Sequence, residues 1–219
     1  MSLFMEIKHL LHKEFTLEWR QKYAISGILL YVLSTVFIVY ISFQTVSPQL
    51  WNVLFWIIML FASINAVVKS FVQESGQRQL YYYQLANPVA ILLSKMIYNT
   101  SLLLLLSVLT FVALGFMAGN PVEQAGRFAL ALLLGSVGFS ITFTFVSAIA
   151  AKADNSSTLM AILSFPVVIP ILLLLVNLSA HSIGLLQGTM INRDIMMLAA
   201  VDLILVALGL VLFPYLWRG

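Results

Sequence analysis

Residues 89–117, VAILLSKMIYNTSLLLLLSVLTFVALGFM, form an almost uninterrupted apolar segment in which Lys95 is the one charged residue. A transmembrane α-helix needs about 20 predominantly apolar residues, so this segment is long enough to cross a bilayer. A helix also satisfies its own backbone hydrogen bonds, as a chain surrounded by lipid requires. We therefore predict a membrane-spanning helix over these residues.

Five other apolar segments have similar length, and together they predict an all-α, polytopic membrane protein with six transmembrane helices. The predicted spans are residues 24–46, 50–68, 89–117, 126–150, 157–178 and 195–217. They occupy most of the 219 residues, so we expect a single transmembrane domain over residues 1–219. The composition is 62% hydrophobic and 9% charged, against about 45–50% apolar and 25% charged in soluble domains. This excludes a soluble globular enzyme.

The first 22 residues predict an amphipathic helix rather than a cleavable signal peptide. Phe4, Ile7, Leu11 and Phe15 recur at helical spacing, and charged residues occupy much of the remaining surface. Such a helix lies in the membrane interface or packs on a partner protein. Because a predicted span follows at once, we expect the interfacial position for residues 1–22.

The distribution of lysine and arginine predicts the orientation of the chain. With a cytoplasmic N-terminus, two basic residues lie outside, Arg127 and Arg193. The other nine lie on the cytoplasmic side: Lys8, Lys13, Arg20, Lys22, Lys69, Arg78, Lys95, Lys152 and Arg218. We therefore predict both termini inside, and the net charge of +3 gives no reason to expect a nucleic-acid partner.

The sequence contains no metalloprotease, nucleophile-elbow or phosphate-loop motif, and we expect no catalytic residue and no metal site. Of the eight carboxylates, Asp202 is the one that falls well inside a predicted span. A buried carboxyl is a candidate functional group. It could also snorkel to the interface or pair with a polar residue such as Asn177.

The three histidines are weak candidates for haem ligands. His9 and His12 fall on the predicted interfacial helix, and His181 falls in the predicted outer loop, residues 179–194. Histidine is a common axial ligand, but a lone loop histidine is more often a solvated surface residue. The sequence also has no cysteine, so thiolate ligands and disulfides are excluded.

The predicted cytoplasmic segment, residues 69–88, is the most unusual part of the chain. It is polar, then aromatic through Tyr81–Tyr83, and it ends in Asn87-Pro88, which favours a turn. Leu80, Tyr81 and Leu85 form one small helical face. Adjacent tyrosines are typical of an aromatic interface belt and equally of a contact with a protein partner.

The fifth predicted span contains Pro166 and Pro170, which remove two backbone donors and kink a helix. The freed carbonyls are tolerated where neighbouring helices or a cavity satisfy them. This favours a helix that faces a second subunit or an inner path, although a kink without functional consequence has the same pattern. In the fourth span, Gly135 and Gly138 favour close helix–helix contact.

Two local patterns resemble the haem exporter protein B family, CcmB, and the resemblance extends over nearly the whole chain. The first pattern follows the second span and comprises Phe71, Glu74, Leu80, Leu85, Pro88 and Lys95. The second comprises Leu133-Leu134-Gly135, Lys152, Pro166 and Pro170. The resemblance implies a permease of the type-2 ABC exporter kind in the bacterial inner membrane.

The resemblance also implies partners and roles. Two copies of the permease would pair with two copies of a CcmA-like ATPase, alongside CcmC-like and CcmD-like membrane proteins and a CcmE-like periplasmic haem chaperone. Haem is implied as a transported or delivered ligand, and ATP as a ligand of the partner subunit. The proline-containing span would lie near the dimer interface or central path, and residues 179–194 would form short hairpin-like helices at the outer mouth. The implied ATPase-coupling residues are Phe71, Glu74, Leu80, Tyr81, Leu85 and Pro88.

Two alternatives stay open at this point. A six-span ABC permease could export another substrate, such as a lipid, a drug or a polysaccharide. A membrane scaffold without a transport path could instead hold haem-handling proteins together.

Overall fold

The computed structural model describes residues 3–20, 22–43, 45–67, 86–151, 156–186 and 191–218. These residues form seven α-helices and no strand. The helices are α1 (Leu3–Arg20), α2 (Lys22–Ser42), α3 (Pro48–Val67), α4 (Pro88–Ala118), α5 (Ala125–Ala150), α6 (Ser156–Ser182) and α7 (Ile191–Arg218). The described part of the chain is therefore all-helical, as predicted.

Five of these helices, α3 to α7, are long and apolar enough to cross a membrane. Helix α2 is apolar over Ser26–Ser42, a shorter stretch. The chain is thus a multi-pass membrane protein, and the sixth span stays a prediction. The largest differences from the predicted segments are at helix ends: α2 ends at Ser42 rather than 46, α6 continues to Ser182 rather than 178, and α7 begins at Ile191 rather than 195.

Helix α5 lies at the centre of the bundle, where it contacts α3, α4, α6 and α7. It is also the most deeply buried of the five long apolar helices, whereas α7 is the least buried. Two glycines on α5 allow this close packing. A Cβ added at Gly135 would lie 2.8 Å from the Trp56 ring, and one added at Gly138 would lie 2.6 Å from Asp202 Oδ1.

An aromatic cluster joins α3, α4 and α5 at the end of the bundle that is predicted to face outward. The Trp51 ring stacks on Phe55 at 5.5 Å between centroids, and Phe111 and Phe128 approach each other at 5.1 Å. Nearby, the Trp56 indole donates to Ser179 Oγ at 2.7 Å. Asn52 Nδ2 also donates to the Val176 carbonyl at 2.9 Å. Together the two hydrogen bonds join α3 to α6 near the aromatic cluster.

Helix α4 has a well-defined start next to the predicted coupling segment. Asn87 is its N-cap, with an extended backbone, and its Oδ1 accepts a hydrogen bond from the Val89 N–H at 3.0 Å. Pro88 follows in the first turn, where the missing N–H costs nothing. The predicted turn at Asn87-Pro88 is thus where α4 begins.

Candidate functional site

The predicted coupling segment is located only at its C-terminal end. Phe71, Glu74, Leu80, Tyr81 and Leu85 lie outside the described residues, as do the neighbouring tyrosines. Pro88 is described and is partly buried in the first turn of α4. The described contacts of the segment are therefore those at its C-terminal end, where it enters α4.

Helix α1 contacts the point at which the segment ends. The Glu6 carboxylate accepts a hydrogen bond from the Asn87 backbone N–H at 2.6 Å. This N–H belongs to the N-cap residue, and a glutamate at N3 of the same helix would normally accept its hydrogen bond in a capping box. Here the carboxylate comes from a different helix, so α1 caps α4 from outside.

A second carboxylate of α1 binds α4 two turns further along. Glu14 Oε1 lies 3.2 Å from Lys95 Nζ and 3.5 Å from Lys13 Nζ. Lys95 is 1% exposed, and a buried ammonium is tolerated only with a nearby counter-charge. Beside this pair, the Phe15 ring packs edge-on against Tyr98 at 5.2 Å.

These contacts keep α1 alongside the first turns of α4. Glu6 and Glu14 are eight residues apart, and so are their partners Asn87 and Lys95. The two helices therefore run parallel in this region. We name this contact the α1–α4 joint, comprising Glu6, Glu14, Phe15 on α1 with Asn87, Lys95, Tyr98 on α4. Sequence reasoning noted the lone charge at Lys95 but did not find its partner. Because residues 89–117 contain no other charge, the sequence indicates that the partner of Lys95 lies on another helix.

The two prolines of α6 lie on its exposed side. Ile162, Pro166, Pro170, Leu173 and Asn177 are all exposed, and successive members are three or four residues apart. They therefore share one helix face, which we name the α6 stripe. The carbonyls of Ile162 and Pro166 receive no hydrogen bond from the proline nitrogen four residues on. No described part of this chain covers that face.

Asp202 lies within α7 at its contact with α5 and α6. It is 5% exposed, and neither carboxylate oxygen has a hydrogen-bond partner. A Cβ built at Gly138 would lie close to both the Asp202 carboxylate and the Ile171 side chain, so Asp202 faces the Gly138 backbone. The alternatives of snorkelling and of pairing with Asn177 are both wrong, since Asp202 is buried and Asn177 is exposed on the α6 stripe.

The expected solvated position of His181 is wrong as well. Helix α6 continues to Ser182, so His181 falls in its last turn and is 9% exposed. Its Nδ1 lies 3.1 Å from the Leu186 carbonyl and its Nε2 lies 3.6 Å from Asp194 Oδ2 at the start of α7. The imidazole thus joins the ends of α6 and α7, which argues against a free haem ligand.

The expected hairpin-like helices over residues 179–194 are absent from the described part of this segment. Residues 179–182 belong to α6, residues 183–186 form a turn with Gly184 at φ +75°, and α7 begins at Ile191. Residues 187–190 lie outside the described ranges. The Ser182 carbonyl accepts hydrogen bonds from the Glu123 and Gln124 N–H groups, both at 3.0 Å. This end of α6 is therefore held by the loop before α5.

Among the described residues, no group of three or more His, Asp or Glu side chains could hold a metal ion. The polar contacts join helices to one another, and they do not converge on a reacting centre. The α1–α4 joint lies at one end of the bundle and the His181–Asp194 contact lies at the other.

Two comparisons with known proteins were informative to different degrees. A comparison with curated protein sequences finds no match. The family model described as "CcmB protein" matches residues 5–215, which covers α2 to α6 and most of α1 and α7. The chain therefore belongs to the CcmB family and is a multi-pass membrane component of the haem export system of cytochrome c maturation, a transporter component and not itself an enzyme.

Proposed function

We propose that the chain is the permease subunit of an ABC transporter complex that exports or delivers haem. In this proposal it works as a homodimer in the bacterial inner membrane, with both termini cytoplasmic and α2 as the first of six spans. A CcmA-like ATPase hydrolyses ATP and moves the membrane helices through residues 69–88. CcmC-like, CcmD-like and CcmE-like proteins handle the haem.

The observation that carries this proposal is the α1–α4 joint. Residues 69–88 end where Glu6 accepts the Asn87 N–H, and the Glu14–Lys95 ion pair follows two turns along α4. Because α1 is bound to α4 at both points, a force applied by the ATPase at residues 71–87 would move α1 and α4 as one body. Rigid-body movement of packed helices is a common way to transmit a conformational change.

The α6 stripe supports a homodimer. An unsatisfied backbone carbonyl in the hydrocarbon core costs several kcal/mol, and exposed Pro166 and Pro170 each lack the N–H that the carbonyl four residues earlier would accept. Asn177 adds an exposed amide to the same face. A second copy of the permease or a hydrated path between two copies would satisfy these groups, whereas lipid tails would not.

Affinity purification of the tagged protein from its native membrane tests the proposal directly. We expect an ABC ATPase and haem-handling membrane proteins to be recovered with it. An ATPase without haem-handling proteins would transfer the proposal to another exported substrate, such as a lipid, a drug or a polysaccharide. Recovery of no ATPase in mild detergent would favour the scaffold alternative.

Substitution of the coupling face tests the contact itself. We expect Leu80→Asp, Tyr81→Asp and Leu85→Asp, combined in one variant, to lower the recovery of the ATPase while membrane insertion stays normal. The control is Leu185→Asp, which places one aspartate on an exposed leucine at the opposite end of the bundle. Equal recovery from the two variants would refute the assignment of residues 69–88 to coupling.

A further inference from the structure

Helix α1 turns Glu6 and Glu14 towards the bundle, and this orientation is produced by the fold. Glu6 and Glu14 point towards α4, where one accepts the Asn87 N–H and the other pairs with Lys95. Leu10 and Leu11, on the same side, pack against the two apolar clusters of the bundle. Both acidic residues of α1 whose side chains are described therefore make contacts within the protein.

The opposite side of α1 is cationic and apolar. Lys8, His9 and His12 are exposed, together with Phe4 at 77% and Met5 at 55% exposure. Among residues 3–17, whose side chains the structure describes, no acidic residue is exposed. The exposed side is thus positive, although the helix as a whole has nearly balanced charges. We name these five residues the outer face of α1.

We propose that the outer face of α1 binds the headgroups of anionic phospholipids in the membrane leaflet that borders it. Lys8 supplies the charge that attracts phosphate, His9 and His12 supply ring N–H donors, and Phe4 and Met5 contact the upper acyl chains. Mixed cationic and apolar faces of this kind are typical of helices bound at anionic membrane surfaces. The inference does not depend on the transport function.

The position of α1 keeps this face close to the bilayer. Helix α1 ends at Arg20 and α2, the first predicted span, begins at Lys22. Arg20 and Lys22 add two basic residues at this junction and Glu18 adds one acidic residue, so the junction is positive by one charge. Charge complementarity therefore favours an anionic lipid surface over a zwitterionic one.

A site-specific fluorescence experiment on the full-length chain tests this. The chain has no cysteine, so Met5→Cys provides a single attachment site for bimane on the outer face of α1. The labelled protein is placed in nanodiscs with equal parts of phosphatidylglycerol and phosphatidylcholine, and a headgroup spin label is carried by one lipid or the other. The measured quantity is the ratio of quenching by the two labelled lipids.

We expect phosphatidylglycerol to quench more strongly, and Lys8→Gln to reduce the underlying lipid preference about fivefold, the factor expected for one basic residue near a membrane surface. Lys8→Arg should preserve the preference. Arg127→Gln, an exposed basic residue at the opposite end of the bundle, should leave it unchanged. A salt concentration of about 1 M should suppress the preference, because the screening length falls to about 3 Å.

Two quenching results would overturn the proposal. One is a quenching ratio near unity in the protein with Lys8 intact. The other is a preference that Lys8→Gln does not change. If the same substitution instead lowered the recovery of the ATPase, the outer face of α1 would belong to a protein partner.

Discussion

Gly138→Ala should destabilise the bundle because it places a methyl group against Asp202. The added Cβ would lie 2.6 Å from Asp202 Oδ1 and 3.3 Å from Ile171 Cγ2. Ordinary contacts between carbon and other heavy atoms are about 3.5–4 Å, so α5 and α7 must separate or the buried carboxyl must rotate. Overpacking of this kind costs about 1–3 kcal/mol, and we expect Gly138→Ala to fall in that range.

The same helix provides a matched control. An added Cβ at Gly126, in the first turn of α5, would meet nothing within 4 Å, so Gly126→Ala should change the free energy of unfolding by less than about 1 kcal/mol. The free energies can be compared by equilibrium unfolding in mixed micelles with increasing dodecyl sulfate.

A double-mutant cycle identifies the clashing group. Asp202→Ala removes the carboxyl that the new methyl group would meet, so Gly138→Ala should cost much less in that background. The coupling free energy between the two positions should be about 0.5–3 kcal/mol. If Gly138→Ala matched Gly126→Ala, or cost the same with and without Asp202, the packing of α5 on α7 would differ from the one described.

Two further predictions concern the α1–α4 joint and the prolines of α6. Lys95→Met should lower the free energy of unfolding by about 2–4 kcal/mol because it leaves Glu14 with a weaker partner. Glu14→Leu in the same chain should recover much of this loss. If the losses of the two single variants simply added in the double variant, the ion pair would be contradicted. The double variant Pro166→Ala, Pro170→Ala should change the rate of substrate-stimulated ATP hydrolysis by the assembled complex more than it changes the recovery of the partner subunits. An unchanged rate would mean that the prolines produce a kink without functional consequence.

Much of the helical architecture could be predicted from the sequence because the bilayer limits the choices. Residues 89–117 predict α4 to within one residue at each end, since a segment of that length and composition must satisfy its backbone as a helix in lipid. Asn87-Pro88 predicts a turn, and the structure begins α4 there, because the amide side chain caps the helix and the proline tolerates the first turn. These are local effects of a few neighbouring residues.

The contacts of the candidate site were harder to predict from the sequence. Lys95 stands out in the sequence as a lone charge, but its partner Glu14 is 81 residues away. The sequence does not distinguish Glu14 from Glu6 or Glu18 as that partner. His181 was expected in a solvated loop, because the four additional residues of α6 that bury it carry no distinct sequence signal. Asp202 was correctly identified as lying inside a span, while its contact with Gly138 could not be predicted.

Composition and segment length are sufficient to specify an all-helical membrane protein, because each helix in lipid must satisfy its own backbone and must match the bilayer thickness. The rotation of each helix about its axis is not specified in this way, since most side chains in these segments are apolar on every side. It is the packing of α5 against its four neighbours that turns Gly138 towards Asp202. The packing of α1 on α4 likewise turns Glu6 and Glu14 inward and leaves Lys8 exposed. Those orientations depend on side chains far apart in the chain, and they exist only once the bundle has formed.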